Sequence, residues 1–299
     1  MLKKVRRGEC WHYSVSKVKT LASMNEHIEI ARAKVNLSLK VLGKRDDGFH
    51  ALETRMAPIS IADKLTFTPA PEYWLECDTE GVPLDETNLV TMAVRIFQRE
   101  TGKACAYRVQ LEKHVPHGAG LGGGSGDAAA ALRALNELEG TQIDADTLAL
   151  WAGELGSDVP FFVYDSVCDC TGRGEIVTPV SWSYKLDALL LKPSFGVSTP
   201  AAYKEWTNSQ EIKGINYTTQ SMPWGEFYND LERPVFQKHR FLAEVKMWLL
   251  DQPEVEAALM SGSGSTMIAI LKDGEGEALK QRALAELDPT LWAEIVQIG

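Results

Sequence analysis

Pro116-His117-Gly118-Ala119-Gly120-Leu121-Gly122-Gly123-Gly124-Ser125-Gly126-Asp127 runs without a break into Ala128-Ala129-Ala130-Ala131-Leu132. Six glycines fall within the nine residues 118–126, and a strong helix former follows at once. Exposed N–H groups feeding a helix N-terminus make an anion site, because the first-turn donors are unpaired and the helix dipole favours negative charge there. The stretch therefore reads as a phosphate cradle. A flexible Gly/Ser linker is the plain alternative. Against it, Ala128, Ala131, Leu132, Leu135 and Leu138 recur at helical spacing, and Gly140 stands where a helix would stop. The spacing is not G-x-x-x-x-G-K-[ST]. Gly118, Gly120 and Gly123 match G-x-G-x-x-G, but no acidic ribose partner follows at the right distance, and the protein-kinase signatures are absent.

Working outward, the chain has 299 residues, enough for two domains or two lobes. It is 44% hydrophobic and 24% charged, an ordinary balance for a water-soluble fold, and its net charge of −10 argues against a general nucleic-acid surface. Five scattered cysteines without a C-x-x-C pair read as reduced thiols, not as a disulfide framework or a zinc site. There is no run of ~18 apolar residues, so no transmembrane helix is expected. Residues 1–25 are basic and polar without an apolar secretory core, and read as an appended, disordered extension; Met24 is a second candidate start.

In chain order, Glu26 to Leu42 alternates as a strand, with Lys34 and Asn36 on the face opposite Val35, Leu37 and Leu39. Alone, such a pair would be a solvated face. The basic turn Gly43-Lys44-Arg45-Asp46-Asp47-Gly48-Phe49-His50 follows, and an aromatic beside a hydrogen-bonding ring suits a planar base. Residues 51–69 read as strand and 72–83 as a hairpin or loop. Thr87 or Asn88 caps a helix ending at Gly102, and 108–113 form a strand entering the glycine loop. Asp144 caps a helix over about 144–155. Asp158 then sits in a Gly-Ser-Asp turn before the apolar run Val159–Val163, read as strand. Thr171-Gly172-Arg173-Gly174-Glu175 is a turn between strands, and 205–223 a variable loop. Asn229-Asp230-Leu231-Glu232 precedes a helix around 240–250. A second glycine turn, Ser261-Gly262-Ser263-Gly264-Ser265, leads into a strand, and a helix covers about 275–287.

Taken together, Pro116–Ala130, Leu155–Phe161 and Ser261–Ile270 resemble the three signature segments of the GHMP small-molecule kinase superfamily. Ala33-Lys34-Val35-Asn36-Leu37 with Gly43–His50, supported by Thr171–Glu175 and Asn229–Glu232, resembles its branch that phosphorylates the 2-hydroxyl of a cytidyl diphospho-sugar alcohol on the non-mevalonate isoprenoid route. The resemblance runs from about Ile28 onward. It implies a two-lobed α+β fold. Residues 26–180 would form an N-terminal, ribosomal-S5-like ATP-binding lobe, and 181–299 a C-terminal α/β lobe with an antiparallel sheet.

The resemblance also implies roles. Asp158 would be the general base and Lys34 the cation that keeps it ionised, since a nearby ammonium favours the carboxylate. ATP would lie against Asn88, Lys113, Pro116, Gly118, Gly120, Leu121, Gly122, Gly123, Gly124, Ser125, Gly126 and Asp127. Ser125 would be the hydroxyl nearest Mg²⁺, with direct protein ligands to the ion left open. Asn36, Phe49, His50, Thr199 and Tyr203 would meet the acceptor, His50 at the base edge and Phe49 and Tyr203 on its two faces. Two departures stand out: Phe49 where the family usually has Tyr, and Gly126 where it usually has Ser. The implied cofactors are ATP and Mg²⁺. The implied partner is a small molecule, not a nucleic acid or a membrane, handled by a cytoplasmic monomer or weak homodimer. Homoserine, mevalonate or a sugar remain alternative acceptors, and a catalytically silent ligand sensor is the alternative of another class.

Overall fold

The computed structural model describes residues 26–272 and 276–299; the reading of residues 1–25 as a disordered extension lies outside them. In chain order the N-terminal half holds β1 (His27–Lys44), β2 (His50–Pro69), β3 (Trp74–Cys77), α1 (Leu89–Thr101), β4 (Tyr107–Glu112), α2 (Gly123–Leu138), α3 (Ala145–Leu155), α4 (Val159–Tyr164), β5 (Cys168–Thr171) and β6 (Ile176–Pro179). The C-terminal half holds β7 (Leu186–Lys192), α5 (Thr199–Trp206), β8 (Gln220–Met222), β9 (Gly225–Asn229), α6 (Glu232–Lys238), α7 (Arg240–Leu250), β10 (Val255–Met260), β11 (Met267–Leu271), α8 (Gly276–Glu286) and β12 (Trp292–Ile298).

The long antiparallel pair β1–β2 is the hub. On β1, Ala33, Val35 and Leu37 are buried on one face, Lys34 and Asn36 are buried on the other, and a bulge between Asn36 and Ser38 turns Leu39 to the side of Asn36 and Thr54. The solvated-face reading of that pair therefore fails. From Arg32↔Ala62 to Lys34↔Pro58, two steps on β1 match four on β2. Such a bulge bends the strand, and a proline without an N–H is tolerated where the ladder is already irregular. Just there Ile59 turns to meet Ile298 of β12. The main sheet path runs β10-β11-β7-β12-β2-β1-β9-β8, so hydrogen-bonded strands cross both lobes.

Helices cover this sheet in the manner of an α+β fold. Asn88 caps α1, accepting from the Val90 N–H, and Gly102 ends it at φ 70°. Asp144 caps α3 by accepting from Thr147 N–H. Both boundaries match the sequence reading. Three local readings do not. Val159–Tyr164 is the helix α4, not a strand: Pro160 in its first turn is compatible with helix, and a six-residue segment with Val159–Val163 all buried carries no period to read. Within 205–223 lie the end of α5 and strand β8. Residues 74–77 form a strand parallel to β4 and no hairpin.

Three apolar clusters follow. One fills the N-terminal lobe around Phe67, Phe97, Leu132 and Phe161. A second fills the C-terminal lobe around Phe236, Leu242 and Leu249. The third joins them, with Val35, Leu37, Ala57 and Leu121 against Leu190, Phe227, Leu259 and Ile268. Neither lobe has a wholly separate core.

Candidate active site

The glycine loop reaches its shape through close approaches that leave no room for side chains. Gly122 is the N-cap of α2 at φ 72°, and a Cβ there would lie 2.6 Å from the Phe162 ring. The first intrahelical bond runs from Gly126 N–H to Gly122 O at 2.8 Å. The N–H groups of Gly123, Gly124 and Ser125 find no acceptor among the described residues. They point the open end of the helix dipole into a groove of about 250 Å³ lined by Leu89, Lys113 and residues 115–125.

Three of the residues expected there, Asn88, Gly126 and Asp127, do not line the groove, and a fourth, Lys113, lines it while bonded to two buried carboxylates. Asn88 is buried, with its carboxamide donating to Pro83 O and accepting from Val90 N–H, so the cap of α1 occupies it while Leu89 faces the groove. Gly126 faces β1: a Cβ there would lie 2.8 Å from Arg32 O. A serine at that position would collide with the strand, which accounts for the glycine. Asp127 is buried under the loop and binds the Lys113 ammonium at 2.6 Å. Lys113 also bonds to Asp63, whose carboxylate accepts the N–H groups of His114 and Val115 at 2.5 and 2.8 Å.

This buried triad has two carboxylates for one ammonium, and one Asp127 oxygen lacks a partner among the described residues. Burial, with the Asp63 charge beside it, outweighs the attraction of Lys113 and pushes the Asp127 carboxyl up to about 7. A carboxyl raised on folding lends stability that is fully present below its unfolded value and lost as pH rises through the folded one. Asp127→Asn, which cannot ionise, should gain stability relative to the parent between about pH 5 and about pH 8. Urea midpoints of both proteins at the two pH values measure it. An unchanged difference would assign the proton elsewhere.

At the other end of the cleft, Lys34 Nζ lies 3.4 Å from Asp158 Oδ2 and donates to Asn36 Oδ1 at 2.7 Å. Asn36 Nδ2 donates to Thr54 Oγ1 at 2.8 Å, and Thr54 Oγ1 donates to Ser38 O at 2.5 Å. Both ends of the Asn36 amide are thus engaged in holding Lys34, although its side chain borders the cavity. The Lys34 N–H donates to Leu121 O at 2.9 Å, tying this strand to the glycine loop. Asp158, at the N-terminal end of α4, keeps 41% of its side chain exposed while Lys34 keeps 4%. That asymmetry suits a carboxylate that must meet a ligand and an ammonium that must orient it.

Asp158 borders two cavities. A small one of about 130 Å³ joins it to Lys34, Gly120, Gly122, Thr199 and Gly262. A larger one of about 500 Å³ runs to Lys44, Phe49, His50, Arg173, Tyr203 and Lys204. Within it the ring arrangement differs from the expected pair of clamps. His50, not Phe49, stacks on Tyr203, at 5.3 Å and 26°, and Phe49 carries the Arg173 guanidinium 5.0 Å from its centroid. Burial, then the charge of Lys44, holds the His50 imidazolium below its usual range, which favours the neutral ring that both donates and accepts. Thr199 Oγ1 bonds to Ser263 Oγ at 2.7 Å, and Gly262 packs on Lys34 and Asn36.

Arg173, Thr54 and Asp63 are site residues that the sequence reading left without a role. Asp63 carries a signal: it shares an inward face with Leu65 and Phe67, all three buried. Among the described residues no group of three or more His, Cys, Asp or Glu could hold a metal ion, and no helix is long and apolar enough to cross a membrane.

Comparison with known proteins converges on one family. Residues 88–166 match the family of GHMP kinases, N-terminal domain. The 4-diphosphocytidyl-2-C-methyl-D-erythritol kinase of Methylacidiphilum infernorum is 40% identical over 285 residues, covering 93% of this chain and 99% of its own. That of Protochlamydia amoebophila is 40% identical over 245 residues, covering 82% and 83%. A crystal structure of 4-(cytidine 5'-diphospho)-2C-methyl-D-erythritol kinase superposes with a TM-score of 0.74 at 32% identity, over 91% of this chain and 99% of that one.

Proposed function

Because the chain belongs to the 4-diphosphocytidyl-2-C-methyl-D-erythritol kinase family of GHMP kinases, we propose that it transfers the γ-phosphoryl of ATP to the 2-hydroxyl of 4-diphosphocytidyl-2-C-methyl-D-erythritol and releases ADP. The observation that carries the residue assignment is the position of Asp158, which borders both the small cavity against the glycine loop and the larger one beyond it. The ATP phosphates lie along the unpaired N–H groups of Gly123, Gly124 and Ser125. The acceptor's base enters the larger cavity, beside His50, Tyr203 and Phe49. Its 2-hydroxyl then stands at Asp158.

In the reaction the Asp158 carboxylate accepts the hydroxyl proton as the alcohol oxygen bonds to the γ-phosphorus. The bond from that phosphorus to the bridging oxygen breaks, and the electron pair leaves on ADP. Lys34 stays protonated, holding Asp158 in place and offsetting negative charge at the phosphoryl oxygens. Phosphoryl transfer needs little else from a protein than alignment and charge stabilisation. Ser125, on the first turn of α2 beside the groove, is the side chain that fits Mg²⁺. Such an ion keeps several waters, leans on substrate phosphates and needs no cage of carboxylates; bound there, it would neutralise phosphate charge.

The same reading divides the chain near residue 180 into a nucleotide-binding and an acceptor-closing lobe. It places the enzyme in the cytoplasm as a monomer or weak homodimer. Free Cys77, Cys105, Cys168 and Cys170 suit a reducing compartment, and the large exposed apolar side chains fall on several different elements.

Purified protein with ATP and Mg²⁺ should release ADP on the cytidyl alcohol and at least about a hundredfold more slowly on mevalonate, homoserine or galactose, because only the first fills the aromatic cavity. Turnover on one of those three, with none on the cytidyl alcohol, would overturn the acceptor.

A further inference from the structure

The segment Asn229-Asp230-Leu231-Glu232 has no part in the site described above, yet each of its three polar side chains makes a specific bond to backbone of β1, of the end of β10 or of the turn that follows it. Both hydrogens of the Asn229 amide are used, on Met260 O at 2.6 Å and Gly262 O at 2.7 Å. Its oxygen accepts the Leu231 N–H at 2.8 Å. Glu232 takes the remaining backbone group of Met260, accepting its N–H at 2.9 Å, while its other oxygen holds Lys246 at 2.5 Å. Asp230 grips β1: its N–H donates to Leu39 O at 2.9 Å, and its carboxylate accepts the Val41 N–H at 2.8 Å. Asn229, Glu232 and Lys246 are all buried.

The elements so joined are the two that meet at Lys34. β1 carries Lys34 and Asn36. The turn that Asn229 and Glu232 hold presses on them: a Cβ on Gly262 would lie 3.1 Å from Asn36 Oδ1 and 3.5 Å from Lys34 Nζ. From the same turn, Ser261 Oγ accepts the Asn36 N–H at 3.3 Å. A burden of buried polar groups this complete is expensive when one partner is removed, since each orphaned group then carries its full desolvation cost.

We propose that Asn229 and Glu232 are positioning residues for phosphoryl transfer, setting the Ser261–Ser265 turn at the distance from β1 that keeps Lys34 aimed at Asp158. The inference rests on the roles assigned above to Lys34 and Asp158. It separates geometry from affinity: neither residue borders the nucleotide groove, so their loss acts on the reacting step. A displacement of about 1 Å at reacting groups costs on the order of a hundredfold in rate.

Three variants test it, each assayed well below its own unfolding midpoint. Asn229→Ala should lower kcat by about 30- to 100-fold while ADP affinity stays within about threefold of the parent. Glu232→Gln with Lys246→Met keeps an acceptor for the Met260 N–H and removes both buried charges; it should retain kcat within about threefold. Glu232→Leu with Lys246→Met removes that acceptor and should lose about tenfold or more. Equal kcat in both double variants, or parallel losses of kcat and ADP affinity in Asn229→Ala, would reduce the segment to a structural element and overturn the proposal. Amide hydrogen exchange over residues 260–266 needs no acceptor. It should quicken at least about tenfold in Asn229→Ala, and unchanged exchange overturns the proposal whichever alcohol the parent protein uses. If the parent turns over only another alcohol, the acceptor assignment alone fails, and the kcat comparison is made on that alcohol.

Discussion

Asp158→Asn should lower kcat by about 10²- to 10⁴-fold, the usual contribution of a positioned general base, with ADP affinity unchanged within about threefold. The amide keeps the size of the carboxylate and cannot take a proton. Affinity should survive because the groove proposed for the nucleotide is lined by Leu89, Lys113 and residues 115–125, away from this side chain. Lys34→Met should lose a comparable factor, and the double variant should be little worse than the weaker single one, because the two act as one unit across 3.4 Å. Steady-state ADP release and calorimetric ADP binding measure both quantities. A kcat near that of the parent in Asp158→Asn would remove the carboxylate from the proton-accepting role. Additive losses would separate Lys34 from it.

Gly120→Ala should be the most damaging small change in the loop. Gly120 sits at φ 75°, and a Cβ there would lie 2.8 Å from two backbone oxygens, those of Ser261 and Gly264. Neither oxygen belongs to a side chain that could swing aside. The two glycine turns must then separate, against the bonds that join them: Thr266 Oγ1 donates to Ala119 O at 2.7 Å, and Thr266 N–H reaches the same oxygen at 3.3 Å. The expected loss is about 2–4 kcal/mol of stability, from left-handed strain plus overpacking, together with at least about tenfold weaker ADP binding because Gly120 itself lines the groove. Gly118→Ala is the built-in control. It shares the left-handed backbone at φ 64° but meets nothing within 4 Å, so it should cost only about 1–2 kcal/mol. Equal effects of the two substitutions would show that conformational strain, not contact between the turns, governs the loop.

Where structure depends on neighbours in sequence, the sequence was legible. The caps at Asn88 and Asp144 and the stop at Gly102 follow from side chains reaching backbone within three residues and from one left-handed glycine. The glycine loop opening a helix was legible from its own residues, and the pairing of Lys34 with Asp158, implied by the family resemblance, is present at 3.4 Å. What stayed hidden depends on register between distant strands. Asn36 borders the small cavity, as a residue meeting the acceptor should, but its amide is also engaged by Thr54, 18 residues away, which the sequence does not announce. Gly126 stands where the family usually has Ser, and the reason lies in a distant strand, with Arg32 O against it. The Val159–Tyr164 helix was hidden for another reason: burial removes the polar positions that would have marked its period. Arg173 lies in a turn that its flanking glycines announce, and only the folded chain brings it over Phe49.

The place of β12 in the sheet has a bearing on how the protein comes together. It stands between β7 and β2, yet it follows every other described strand in the chain. Its meeting with β2 joins residues far apart: Gln297 N–H reaches Ser60 Oγ across 237 positions. During synthesis, β7 and the bend of β2 therefore leave the ribosome long before the strand that pairs with both. Until it arrives, two strand edges and the apolar surface between the lobes stand open, the condition in which nascent chains stick to one another or recruit chaperones. Completion of the sheet is thus a late event, timed by β12 and not by the glycine loop that is made near the middle of the chain.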